Sequence, residues 1–420
     1  LSCGNGEAKI VAEDEDAVSE GRIGRIRVSA ARWLQRAAAL ALLGPLQLAI
    51  VRDLLPRALT PPAGAMGAGL GVAIALSALS VWIARLGMRG RAGRLRVDGS
   101  HLVMEGSGRD ARIPRRSIVG AWALASKRRV EIELSSGDFV FAEGPGIDPE
   151  ELVRALGFGP ATRAVALPSA APGTEVYVNI AYGVLGPMLA LVGGSLLSGP
   201  LGLLSEYVRV LPTVALATTF LLGAWTHGPG LRIGVDGVRM RRPLRWAFEP
   251  FDATSTVERR GAQVTLRTGN RSKVWTFVDP DYADAIHHRI ESVLRLRREA
   301  PERPGGLAAI ERHGDDVRAW RRRIDAREAS PAYRSYAIPA GDLELVLASA
   351  DASPEDRIAA ALALGDRIDD HARARLRVAA ATSVRPEVRR AFERLADGDP
   401  SDDELEAALE DPPPPLRLRA

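Results

Sequence analysis

Three lysines, six histidines and one cysteine are all that the 420 residues hold of those types. The single cysteine, Cys3, excludes a disulfide framework and any multi-cysteine zinc or iron–sulfur site. The histidines are scattered, and the adjacent pair His287-His288 falls in a helical pattern where neighbours point to different faces, so no metal or other cofactor is implied. Lysine is confined to Lys9, Lys127 and Lys273, so nearly all positive charge is arginine, the mark of a GC-rich coding sequence. A net charge of +4 built that way does not point to nucleic acid as a partner. No phosphate-binding Gly-x-x-x-x-Gly-Lys-Ser/Thr loop, His-Glu-x-x-His pair or Gly-x-Ser-x-Gly elbow occurs, and no catalytic residue is assigned. The paired carboxylates Asp369-Asp370 and Asp402-Asp403 stand at helix starts, where they compensate the helix dipole.

Four apolar stretches dominate the chain, although charged residues at 26% exclude a wholly membrane-embedded protein. The clearest, Leu59 to Ala84, carries no charge, and about 20 such residues cross a bilayer core. Val176 to Ser205 and Val210 to Leu231 are likewise long and almost free of charge. Trp33 to Val51 is the weakest, with Arg36, Gln47 and a Gly44-Pro45 break, and reads as the first leg of a hairpin. Arginines crowd the outer ends of both hairpins: Arg22, Arg25, Arg27, Arg32 and Arg36 before the first, Arg85, Arg89, Arg91, Arg94 and Arg96 after it. The positive-inside rule then places both termini in the cytoplasm and the chain in a bacterial inner membrane as a multi-pass protein. No charge lies inside the strong spans, which argues against an ion or proton pathway.

A polar segment rich in short strand patterns follows each hairpin. Val130, Ile132 and Leu134 alternate with charges, as in a half-buried strand. Val97-Asp98-Gly99, Ile113-Pro-to-Ile118, Val130-Glu-Ile132 and Asp148-Pro149 have counterparts in Val235-Asp236-Gly237, Phe248 to Phe251, Val264-Thr-Leu266 and Asp279-Pro280. The chain therefore reads as an internal repeat: a helical hairpin, a small β unit and one helix, twice.

These strands, with a Val-Asp-Gly turn, an Ile-Pro-x-x-x-Ile element and a terminal helix, resemble bacterial pleckstrin-homology-like domains found beside transmembrane hairpins. The resemblance implies a bent antiparallel sheet closed by a C-terminal helix, and a binding or scaffolding role without common catalytic residues. From Leu307 to Glu410, short Ala-rich helices with Ser-Pro-Glu and Arg-Pro-Glu starts resemble HEAT-like repeats.

The expected fold class is membrane α+β: four transmembrane helices in two hairpins, two small pleckstrin-homology-like β units each closed by a helix, and a C-terminal all-α domain. The expected organisation is a cytoplasmic segment at 1–30, read as truncated because the chain begins at Leu1. A first hairpin at 31–90, a first β domain at 91–158, a linker at 159–175 and a second hairpin at 176–230 follow. A second β domain at 231–299, a linker at 300–306, a helical domain at 307–410 and a disordered tail at 411–420 complete it. The functional expectation is a non-enzymatic membrane scaffold or regulator whose cytoplasmic domains bind protein or lipid partners. The alternative is a transporter or lipid-handling protein built on the four-helix bundle. Arg112, Arg115, Arg116, Lys127, Arg128 and Arg129 are the expected contacts to anionic lipid headgroups, each such charge contributing about 1 kcal/mol beside a membrane.

Overall fold

A computed structural model gives the fold of residues 18–31, 33–38, 64–106, 111–168, 230–242, 245–277, 279–300, 307–329 and 338–410. A seven-stranded antiparallel sheet comes first. Its strands are β1 (Val18–Ile26), β2 (Arg91–Asp98), β3 (His101–Gly106), β4 (Ala111–Pro114), β5 (Ile118–Leu124), β6 (Arg129–Leu134) and β7 (Phe139–Glu143), in the order β4-β3-β2-β1-β7-β6-β5. The central strand is β1, which pairs with β2 on one side (Ile23 opposite Arg91) and β7 on the other (Ile26 opposite Phe139). The sequence reading placed no strand there, because Val18–Ile26 precedes the apolar segment that separates it from its partner.

Between β1 and β2 lies a long apolar helix, α1 (Gly64–Met88). Residues 28–31 and 33–38 are also helical and continue directly from β1. The two helical pieces meet at Ala31 and Ala84, both buried. Along α1, Ala73, Ser77, Ser80 and Ala84 are buried, a stripe of small residues of the kind that lets helix backbones approach closely. The serine hydroxyls donate within the helix, Ser77 to the Ala73 carbonyl and Ser80 to the Ser77 carbonyl, both at 2.7 Å.

The expected fold class is corrected here. Among the described residues one helix, not four, is long and apolar enough to cross a membrane: the Gly71–Met88 portion of α1 has a mean hydropathy of 1.7. The expected spans at 176–205 and 210–231, and most of the one at 33–51, lie outside the described residues. The β structure is three antiparallel sheets, of seven, four and three strands, rather than two small units of one kind.

The first sheet is closed by α2 (Pro149–Ala155), whose N-cap Asp148 accepts from the Glu150 and Glu151 amides. Next, β8 (Val165–Leu167) pairs with β9 (Leu231–Ile233), across another long intervening segment. Adding β10 (Gly237–Arg242) and β11 (Arg245–Pro250) gives the order β11-β10-β9-β8. The third sheet holds β12 (Thr256–Arg260), β13 (Gln263–Thr268) and β14 (Arg271–Thr276). Helix α3 (Pro280–Arg298) follows, started by Pro280 behind N-cap Asp279. Each β unit thus opens with a strand upstream of a long insertion and ends with an Asp-Pro-started helix.

Helix α3 belongs to both units. Its buried Tyr282, Ile286, Ile290 and Val293 share one hydrophobic core with Trp122, Phe139 and Phe141 of the first sheet and Val264 and Trp275 of the third. Tyr282 donates its hydroxyl to the buried carboxylate of Glu131 and stacks edge-on against Trp122 at 6.3 Å. Arg289 donates to the carbonyls of Phe158, Gly159 and Arg163. On the other side, Asp284 pairs with Arg259 of β12 at 3.1 Å.

The remaining helices are α4 (Val317–Ala329), α5 (Ala340–Ala348), α6 (Pro354–Leu364), α7 (Asp370–Thr382), α8 (Pro386–Asp397) and α9 (Asp402–Leu409). They enclose a core of their own around Trp320, Leu343, Ile358, Leu376 and Phe392. Their tie to the second sheet is polar. No side chain at Arg385 caps α8, and the carboxylate of Asp236, from the β9–β10 turn, instead holds the residues just ahead of the helix. It accepts from the Ser383 hydroxyl and from the Val384 and Arg385 amides. Gly234 lies so close to the Thr382 carbonyl that a Cβ would come within 2.1 Å of it.

Candidate functional site

The site is the seat where α1 meets the first sheet. Sequence brings two glycines face to face: a Cβ on Gly87 would lie 2.5 Å from the Arg25 carbonyl, and one on Gly24 only 2.7 Å from the Gly87 carbonyl. Backbone therefore rests on backbone. The chain then turns through Gly90, at a φ of 58° suited to glycine, into β2. Arg22 donates to the Arg89 carbonyl just past the helix end. Asp138, nearly buried in the β6–β7 turn, pairs with Arg25 at 2.9 Å and accepts from the Ser29 amide at 3.2 Å. That carboxylate fixes the start of the helical turn that leaves β1.

Around this seat opens a cavity of about 870 Å³, lined by Arg25, Arg27, Arg89 and Arg91, with Glu105 the one carboxylate. All four arginines are exposed. Immediately above it the helices turn apolar side chains outward: Val72, Ile74, Leu79, Trp82 and Leu86 on α1, and Trp33 at 70% exposure. Trp33 lies five residues beyond Val28, and Trp82 six before Met88, which at 1.5 Å per residue is about 7–9 Å in each case. The two indoles therefore stand at a common height over a ring of guanidinium groups. On α1 that order, arginine then tryptophan then aliphatic, is the order of headgroup, interface and hydrocarbon in a bilayer, whereas the other helical piece carries the exposed Arg36 beyond Trp33.

Replacing Gly87 with valine should unseat α1 and cost about 1–3 kcal/mol through overpacking. Gly71→Val, where nothing lies within 4 Å, is the control. Melting of the detergent-purified chain should fall for the first and hold for the second.

The five arginines and one lysine expected from the sequence do not gather at this seat. Arg112 is exposed on the edge strand β4, and Arg116 is exposed beside it. Arg115 donates to the Gly99 and Ala155 carbonyls at 3.2 and 2.8 Å, tying α2 to the sheet. The other three stand past the far end of β5, whose seven residues separate the two groups by about 20 Å. There Lys127 pairs with Asp281 of α3 at 2.5 Å, which raises its pKa against the opposing effect of burial. Arg128 is exposed in the left-handed region at a φ of 45°. Arg129 pairs with Glu131 at 2.7 Å and lies 4.1 Å over the Phe141 ring. Arg115, Lys127 and Arg129 thus hold the fold together, and Arg112, Arg116 and Arg128 keep exposed charge. The seat arginines enter the sequence reading only as markers of orientation. Their interleaving with Gly24, Gly87, Gly90 and Gly93 was the signal that a packed surface lay there.

Among the described residues no group of three or more His, Cys, Asp or Glu is arranged to hold a metal ion. Comparison with family models, curated proteins and solved structures found no match for the chain.

Proposed function

We propose that this protein is a membrane-held, non-enzymatic scaffold whose β units and helical part form a platform for protein or lipid partners on the cytoplasmic face of a bacterial inner membrane. The observation that carries the reading is α1. Only 22% of its Gly71–Met88 portion is buried, and its exposed face is aliphatic and aromatic down to a collar of arginines. A soluble fold would cover that face. The seven strands of the first sheet, followed by the Asp-started α2, support reading that unit as a pleckstrin-homology-like binding module. In this reading the collar of Arg27 and Arg89 meets anionic headgroups.

Alkaline carbonate should leave the full chain in the membrane pellet, and a reporter fused at Gly137 should read as cytoplasmic. Release into the supernatant would overturn the membrane assignment. Anionic lipid added to mixed micelles should raise the melting temperature of the wild type more than that of Arg27→Gln/Arg89→Gln, by the effect of about 1 kcal/mol per charge. Equal shifts would remove the collar from lipid recognition.

A further inference from the structure

The two β units treat equivalent strand pairs differently. In the first, β2 and β3 set Arg94 opposite Glu105, an attractive pair. In the second, β9 and β10 set Arg232 directly opposite Arg239, and like charges in that position repel. Two further arginines close on this pair. Arg163 precedes β8, its guanidinium 4.9 Å over the Phe158 ring, and the neighbouring Ala164 amide donates to the Ala381 carbonyl at the end of α7. Arg389 approaches from α8, donating one nitrogen to the Ser383 carbonyl at 3.0 Å, while its Nε is buried with no hydrogen-bond partner.

Arg163, Arg232 and Arg239 all have their pKa lowered, by burial first and then by one another or by Arg389. Glu387 is the one carboxylate acting against this, and it acts on Arg239. Three half-buried guanidinium groups, Arg232, Arg239 and Arg389, with the exposed Arg163 beside them and so little counter-charge, oppose the docking of α8 on the second sheet. They are also an arrangement for a multiply charged oxyanion, because the planar fork of each guanidinium matches two phosphate oxygens.

We infer that Arg163, Arg232, Arg239 and Arg389 form a binding site for a phosphate-bearing anion at the junction of the second β unit and the helical part. The site is separate from the arginine collar of α1, and it does not depend on the membrane reading. Its occupant relieves the repulsion and bridges β9, β10 and α8, so binding strengthens the docking of the helical part.

The test is thermal unfolding of the full chain in phosphatidylcholine nanodiscs, with sodium pyrophosphate against sodium chloride at matched ionic strength. The wild type should show a saturable rise in midpoint with pyrophosphate. Arg232→Gln should need at least about tenfold more pyrophosphate, and its ligand-free midpoint should not fall, because the substitution removes repulsion. A second arm uses nanodiscs containing phosphatidic acid and no soluble phosphate. A rise confined to that arm and lost in Arg232→Gln identifies a lipid headgroup as the source of the phosphate, whereas a rise with pyrophosphate identifies a free anion. No rise in either arm, or a rise undiminished in both Arg232→Gln and Arg163→Gln, overturns the inference. So does a ligand-free Arg232→Gln protein less stable than the wild type.

Discussion

Glu131→Ala should destabilise the chain by about 3–5 kcal/mol, the cost of breaking a buried ion pair from one side. Glu131 is 2% exposed and sits where the first sheet receives α3. Its loss leaves the Arg129 guanidinium without its partner at 2.7 Å and the Tyr282 hydroxyl without its acceptor. Glu131→Gln, which keeps an acceptor for Tyr282, should cost much less. The two also separate by pH. Burial raises the Glu131 pKa above its ordinary 4.5, against the opposing pull of Arg129. The folded chain therefore holds that proton more tightly than the unfolded one. The stability this contributes is complete below 4.5 and is lost as pH rises through the folded value. Relative to wild type, Glu131→Gln should accordingly gain stability as pH rises from the acidic range to neutrality. Denaturant melts followed by tryptophan fluorescence measure this, and a trend of the opposite sign would refute the assignment. Tyr282 remains a donor throughout, its own pKa raised well above 10 by burial and by Glu131.

Asp236→Ala should release the helical part from the second sheet at a cost of about 1.5–3 kcal/mol, the range for hydrogen bonds to a charged group. Three donors lose their acceptor, the Ser383 hydroxyl and the Val384 and Arg385 amides. Arg357 is 5% exposed, with its pKa pushed down to about 10 by burial; among its neighbours Asp236 acts most strongly to hold it charged. Amide hydrogen exchange should quicken at residues 383–389 in the variant and stay unchanged in β5 and β6. Uniform quickening would mean that the chain unfolds as one unit and that the clasp is not a local hinge. Asp236→Asn, which keeps one acceptor oxygen, should fall between.

Asp236 also shows what could be read in advance. The Asp-Pro helix starts were legible because capping is local: Asp148 and Asp279 each accept from an amide two residues on. The alternation at Val130, Ile132 and Leu134 marked β6 for the same reason. The Val-Asp-Gly turns at Asp98 and Asp236 were legible as turns. Nothing local distinguishes the second, whose carboxylate holds residues 383–385 just ahead of a helix that starts at Pro386. The fold class failed where information is least local. Val18–Ile26 carries five charges or glycines among its nine residues, its apolar positions Val18, Ile23 and Ile26 do not alternate, and it finds a partner across a long apolar insertion. Composition near 112–129 pointed to a charged surface, but three of those six charges are consumed by partners on α2, α3 and the neighbouring strands. Charge counts cannot show that. The four-arginine junction was invisible for the same reason, since its members come from a loop, two strands and a helix.

The interrupted β units set an order on biogenesis. In both, the first strand emerges from the ribosome and then waits, because its neighbour is not synthesised until the whole 27–90 or 168–230 segment has followed. Neither Val18–Ile26 nor Val165–Leu167 can complete its ladder locally, and closing so long a loop is slow. The apolar insertion is therefore made, and free to partition, while the sheet that flanks it is still open. Once β2 zips against β1, or β9 against β8, the two ends of the insertion are locked side by side. Each sheet acts as a clasp that closes only after the segment it brackets has been made.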